Sequence, residues 1–320
     1  MKTKLHGVLV ALVTPMKANS EIDFNTYTKH VDAMIAAGIH GLIPLGSTGE
    51  FYALTPQERT DVIKATLEVA ASRVPVVAGA NASSTRDVVA FSREAEALGC
   101  DTVMLAPPYY SLPTPDELRA HYKAVNDAIG IPIMLYNYPG RTGVDMSPEF
   151  IEQLAEMPRI RFVKESTGEI GRISTLLRRC GDRLGVFCGG DTVAYESLAL
   201  GVVGWVGGVA NVVPRSHVEL YRLVVEKRDF AAARKLYFQM LPLLNLMEGG
   251  GKYTQWVKAA CGLMGRPVGA PRSPLCAATP AELKTLKAAL AEIPDLRRFS
   301  AKKKHIENFR SMFILINRAC

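Results

Sequence analysis

Nowhere in the 320 residues does an apolar run approach the roughly 18 positions that a membrane-spanning helix requires, so no membrane partner is expected. The first residues carry Lys2 and Lys4 but no apolar core followed by a small-residue cleavage site, so no secretory leader is expected either. Six cysteines (Cys100, Cys180, Cys188, Cys261, Cys276 and Cys320) are scattered without a CxxC pair. That spacing argues against a zinc ribbon or a disulfide scaffold and fits a reducing, cytoplasmic setting. His6, His30, His40, His121, His217 and His305 form no HxxxH or HxH pair, and no metal site is expected. No early strand is followed by GxGxxG, which removes the signature of a dinucleotide-binding sheet. The net charge of +7 is concentrated in residues 301–320, where five lysines and arginines face Glu307 alone. The remaining charge is ordinary and predicts no nucleic-acid face.

What the chain does contain is alternation. From residue 7 to about 226, short apolar runs alternate with amphipathic stretches of helical length. Candidate strands are Val8–Val13, Gly41–Leu45, Val74–Ala78, Thr102–Leu105, Ile133–Tyr136, Phe162–Lys164, Leu184–Cys188 and Val202–Val206. Between them lie helical patterns such as Phe24–Ala37, Pro56–Ala71, Arg86–Leu98, Pro115–Ala128 and Pro148–Ala155. The strands are apolar throughout, as expected when both faces are covered. Such units predict an α/β chain with a closed (β/α)8 barrel over residues 1–226. Thr55, Thr114 and Thr279, each followed by proline and then by glutamate at the third position, mark helix starts. After the eighth unit the strand signal stops. Residues 229–247, 252–264 and 280–292 read as three helices of a C-terminal domain spanning 227–297, broken at Gly249–Gly251 and at Pro267–Pro274. The glycine run lacks the lysine and hydroxyl of a phosphate loop. Residues 298–320 read as a basic tail, in which His305–Ile316 could form a short amphipathic helix.

The chemistry gathers at strand ends. In Arg161–Gly168 an apolar run ends in Lys164, and a polar, glycine-terminated turn follows. Barrel active sites lie at the carboxyl ends of strands. A lysine packed against apolar neighbours loses hydration, which lowers its pKa and frees its amine to attack carbonyls. In Gly46-Ser47-Thr48-Gly49-Glu50, two glycines flank two hydroxyls, so backbone amides can approach an anion. Pro107-Pro108-Tyr109-Tyr110 puts two phenols at another strand end, and Tyr136–Gly143 combines a tyrosine with Arg141, a proton donor with a carboxylate clamp. Taken singly, each has an ordinary reading as a surface lysine, a capped turn, a packing ring or a solvated arginine. Gly189-Gly190 and Gly207-Gly208 could suggest a barrel phosphate site, but no flanking lysine or arginine supports one.

GSTGE, YNYPGRTG and FVKESTG, in this order and at these spacings, resemble the dihydrodipicolinate synthase / N-acetylneuraminate lyase family over residues 5 to 297. The resemblance implies class I aldol chemistry on a 2-oxo acid, usually pyruvate, through a covalent imine with no metal or organic cofactor. It casts Lys164 as the Schiff-base lysine and Tyr136 as the phenol that shuttles protons at the imine carbon. Ser47 and Tyr110 complete a proton relay, with Tyr109 as their neighbour. Thr48 and the amides around it cradle the pyruvate carboxylate, Gly189 and Val206 line the imine side, and Arg141 grips the carboxylate of the aldehyde partner. A homotetramer or dimer is also implied, with a tyrosine such as Tyr109 reaching a neighbouring subunit. The arginine in YNYPGRTG favours the synthase branch, which condenses pyruvate with aspartate semialdehyde to 4-hydroxy-tetrahydrodipicolinate in lysine synthesis. Ser47, Phe51 and Tyr52 depart from that branch's usual residues, and Pro56, Arg59 and Thr85 do not match its lysine-feedback set. A catabolic lyase or dehydratase of a sugar-derived 2-oxo acid is therefore the rival reading. A non-catalytic paralogue that binds a 2-oxo acid is a third, against which the joint presence of Lys164, Tyr136, Ser47 and Thr48 speaks.

Overall fold

A computed structural model describes residues 5–293 of the chain. Eight parallel strands form one sheet: β1 (Gly7–Ala11), β2 (Gly41–Ile43), β3 (Val77–Gly79), β4 (Thr102–Leu105), β5 (Ile133–Asn137), β6 (Ile160–Glu165), β7 (Gly185–Cys188) and β8 (Gly204–Gly207). Their order is β2-β1-β8-β7-β6-β5-β4-β3. The ring closes between β2 and β3 through a parallel bridge from Leu42 to Val76, where the Leu42 amide donates to Pro75 O at 3.0 Å. This is the expected (β/α)8 barrel. The widest departure from the expected strand limits is at β3, which starts at Val77 rather than Val74. Pro75 has no N–H to give to a ladder and cannot sit inside a strand paired on both sides.

Two apolar layers explain why these strands lack polar alternation. Leu9, Ile43, Val77, Met104, Met134, Phe187 and Val206 point inward and fill the barrel. Their neighbours Val8, Val10, Val103, Leu105, Ile133, Leu135, Val163 and Val186 point outward into the helical layer. Successive residues of a strand face opposite sides, so both sets must be apolar. Thr55, Thr114 and Thr279 each form a capping box with Glu58, Glu117 and Glu282, as their spacing predicts.

Three helices follow β8 and its own short helices: Phe230–Gly249, Tyr253–Leu263 and Pro280–Leu290. Leu243, Leu244, Met247 and Val257 join the same apolar cluster as Val8 and Val10, so these helices pack onto the barrel's outer layer. The first helix runs through Gly249 instead of stopping before the glycine run, and that extension carries Glu248 to the barrel mouth. A buried tether fixes the second helix: Lys258 Nζ reaches Glu50 Oε1 at 2.6 Å and the carbonyls of Thr14 and Ala270 at 2.9 Å each. None of the described helices is long and apolar enough to cross a membrane. The cysteines Cys100, Cys180, Cys188, Cys261 and Cys276 are unpaired. The basic tail 298–320, with the expected helix at His305–Ile316, lies outside the described residues.

Candidate active site

Parallel pairing of β5 with β6 sets Tyr136 beside Lys164, and pairing of β6 with β7 sets Lys164 beside Phe187. Counting back by twos, Met134 and Phe162 lie one layer deeper, so the amine and the phenol emerge from the apolar plug at the same height. The residues one step further along point the other way and pin the strand tips. The Asn137 amide donates to Glu165 Oε2 and to Asp145 Oδ1, both at 3.0 Å. Glu165 Oε1 accepts the Thr167 N–H at 2.8 Å, and Arg172 holds Asp145 at 2.9 Å. Lys164 is only 6% exposed, and its Nζ lies 4.1 Å from the centroid of the Tyr136 ring.

Gly189 makes room for this lysine. A Cβ there would stand 1.9 Å from Ser166 Oγ and 2.8 Å from Lys164 Cγ, so only glycine fits. The GSTGE turn is drawn tight by left-handed backbone at Leu45 (φ 60°) and Glu50 (φ 58°). Gly49 N–H donates to Gly46 O at 3.0 Å, and Glu50 N–H to Ser47 O at 3.2 Å. Among the described residues the amides of Ser47 and Thr48 meet no protein acceptor, which leaves two donors for an anion.

A cavity of about 230 Å³ collects these groups: Lys164, Tyr136, Ser47, Thr48, Arg141, Gly189 and Val206 all line it. Tyr110 does not. Its backbone is left-handed (φ 74°), the ring is 97% exposed, and within one chain it cannot complete a relay with Tyr136 and Ser47. Its neighbour Tyr109 packs edge-on against Phe51, with centroids 6.2 Å apart. A second cavity of about 390 Å³ lies outside the first, lined by Tyr138, Gly140, Arg141, Met247, Glu248, Gly251 and Tyr253. Arg141 sits over the Tyr138 ring, 5.9 Å from its centroid, at the join between the two.

Four residues at this site are absent from the motif-based set. Ser166 Oγ is buried in the inner cavity wall with no hydrogen-bond partner among the described residues. The period of two from Lys164 is the signal that points to it. Tyr253 and Glu248 come from the C-terminal helices, and Asp191 from the turn after β7. Asp191 is held from two sides: Trp205 Nε1 donates to its Oδ1 at 2.9 Å and the Tyr253 hydroxyl to its Oδ2 at 2.6 Å. Burial, with the neighbouring Glu248 carboxyl adding, pushes the Asp191 carboxyl up to about 7. Burial raises Glu248 as well. Among the described residues no three histidine, cysteine, aspartate or glutamate side chains converge as a metal-ligand set.

The dihydrodipicolinate synthetase family model matches residues 4–293. The 4-hydroxy-tetrahydrodipicolinate synthase of Thermodesulfovibrio yellowstonii is 39% identical over 287 residues, covering 90% of this chain and 96% of that protein. The enzyme of the same name from Geobacter metallireducens is 38% identical over 286 residues, covering 89% and 98%. Among solved structures, the chloride-inhibited dihydrodipicolinate synthase of Acinetobacter baumannii in complex with pyruvate superimposes with a TM-score of 0.86 at 34% identity, covering 90% of this chain and 99% of that one. The dihydrodipicolinate synthase of Thermotoga maritima gives 0.86 at 31% identity, covering 90% and 98%.

Proposed function

Because the chain belongs to the dihydrodipicolinate synthetase family, we propose that it is a Schiff-base lyase that condenses pyruvate with aspartate semialdehyde to 4-hydroxy-tetrahydrodipicolinate. The observation that carries this reading is the buried Lys164 amine 4.1 Å from the Tyr136 ring centroid, in a cavity it shares with Arg141. Lys164 adds to C2 of pyruvate, the carbinolamine loses water, and an iminium forms. The iminium draws the electron pair of a C3–H bond inward as the proton leaves, giving an enamine. C3 then bonds to the aldehyde carbon, whose oxygen takes up a proton. The amino group of the condensed chain, once its ammonium form has given up a proton to solvent, adds to C2, and Lys164 departs as the free amine.

Tyr136 is the group placed to move protons at C2, and a phenol does so best along a hydrogen-bonded chain of hydroxyls. Ser47 is one link. Tyr110, 97% exposed on its own chain, suits a link supplied to or by a second copy, which makes the working unit at least a dimer. The free Ser47 and Thr48 amides take the pyruvate carboxylate, and Arg141 takes that of the aldehyde. A cytoplasmic location accords with the unpaired cysteines.

A coupled assay decides the substrate. Aspartate semialdehyde with pyruvate is expected to turn over faster than any cleavage or dehydration of sugar-derived 2-oxo acids, and Arg141→Ala to lose most of that turnover. Preferred turnover of a sugar acid, or an Arg141→Ala variant as active as the wild type, rejects the synthase reading.

A further inference from the structure

Arg141 and Glu248 both line the inner and the outer cavity, and they carry opposite charges. Among the described residues no carboxylate pairs with Arg141, and no lysine or arginine pairs with Glu248. The Glu248 carboxylate is held rather than swinging. Its Oε1 accepts the Asp191 amide N–H, and its Oε2 accepts the Thr192 hydroxyl at 2.9 Å. A carboxylate offers about four accepting directions, so roughly half remain for a ligand. The neighbouring Asp191 is engaged by Trp205 and Tyr253 and, unlike Glu248, lines neither cavity. Two neighbouring buried carboxyls are costly even with the Lys164 charge acting on both, and a cationic group brought by a ligand relieves that cost further.

We infer that Glu248 is the recognition site for the ammonium group of the acceptor aldehyde, with Arg141 taking the carboxylate of the same molecule. The mouth of the barrel thus reads an α-amino acid by its two charged ends and leaves the aldehyde end free to enter the inner cavity. This rests on the synthase reading above, since aspartate semialdehyde is an amino acid whose far end is an aldehyde. A sugar-derived acid would offer Glu248 only neutral hydroxyls. Nothing in the three motifs encodes this residue; the extension of the helix Phe230–Gly249 past Met247 supplies it.

The test compares aspartate semialdehyde with succinate semialdehyde, the same aldehyde acid without the amino group. In Glu248→Gln the KM for aspartate semialdehyde is expected to rise about tenfold, the worth of a charge-assisted contact, while the inhibition constant of succinate semialdehyde moves less than about twofold. Glu248→Asp, which keeps the charge, is expected to retain part of the preference. Labelling of Lys164 by pyruvate and borohydride reports, in each variant, that the inner cavity is intact. If both ligands weaken equally, or neither does, in a variant that labels, Glu248 only supports the fold and the inference is overturned. Should the glutamine variant fail to label, the aspartate variant decides by the same comparison. A wild-type protein that labels with pyruvate yet ignores aspartate semialdehyde overturns the synthase reading, and the amino-group role falls with it.

Discussion

At the residue scale the site depends on what small side chains permit. A methyl group added at Gly189 would collide first with Ser166 Oγ and then with the aliphatic part of Lys164, so the lysine's pose must shift. Gly189→Ala is expected to lower kcat/KM about 100-fold, because a displacement near 1 Å at the reacting group has that effect. Its thermal midpoint should change far less than its activity. An active Gly189→Ala enzyme would mean that the lysine does not need the pose described. Lys164 and Tyr136 were legible in the sequence because strand periodicity and motif agree on them, whereas Ser166 was missed although the same count of two reaches it. Tyr110 was only half legible: the PPYY motif names it, but nothing local announces left-handed backbone at a tyrosine, which non-glycine residues adopt rarely. The relay that the family resemblance implies therefore joins groups that one chain alone does not bring together.

At the scale of elements, the N-caps and most strands were legible because their signals are local. The C-terminal contribution was not, because it rests on pairings across more than 200 residues. Lys258 and Glu50 form such a pair, with side chains 1% and 0% exposed. Glu50 also accepts the Arg272 amide at 2.7 Å, so the pair ties the GSTGE turn to the chain beyond the second C-terminal helix. Removing one partner strands a buried charge, and Lys258→Met is expected to destabilise the fold by about 3–5 kcal/mol in urea denaturation. Glu50→Gln with Lys258→Met should recover part of that loss, because the stranded charge is gone. By contrast, Thr114→Ala removes only one exposed cap and should cost about 1 kcal/mol. Equal effects from the two single variants would contradict the weight placed on the buried tether.

For the whole molecule, acid is the revealing variable. Burial lowers His30, His121 and His217 from the usual 6.5 to about 4. Between those values the unfolded chain binds protons that the folded chain refuses, so each histidine contributes stability that is complete above 6.5 and lost as pH falls toward 4. Asp191 and Glu248 act in the opposite sense, since their raised carboxyls take up protons more readily in the folded state. Three depressed histidines outweigh them, so calorimetry should give a lower Tm at pH 4.5 than at pH 7.5 by roughly several degrees. His217 stacks on Trp205 with centroids 4.1 Å apart, and His217→Phe should flatten the acid slope by preserving the stack without the titrating ring. A slope that rises toward acid would show that the carboxyl pair dominates. Light scattering at working concentration is expected to report at least twice the monomer mass, with Tyr110 protected from modification. A fully active monomer would remove the shared relay.

The central claim is that one buried amine forms an imine with a 2-oxo acid, and borohydride reduction in the presence of pyruvate tests it most directly. The account predicts a single stable adduct per chain, mapped by mass spectrometry to the peptide containing Lys164 and absent from Lys164→Ala. No adduct in the native protein, or one that survives in the alanine variant, would contradict it.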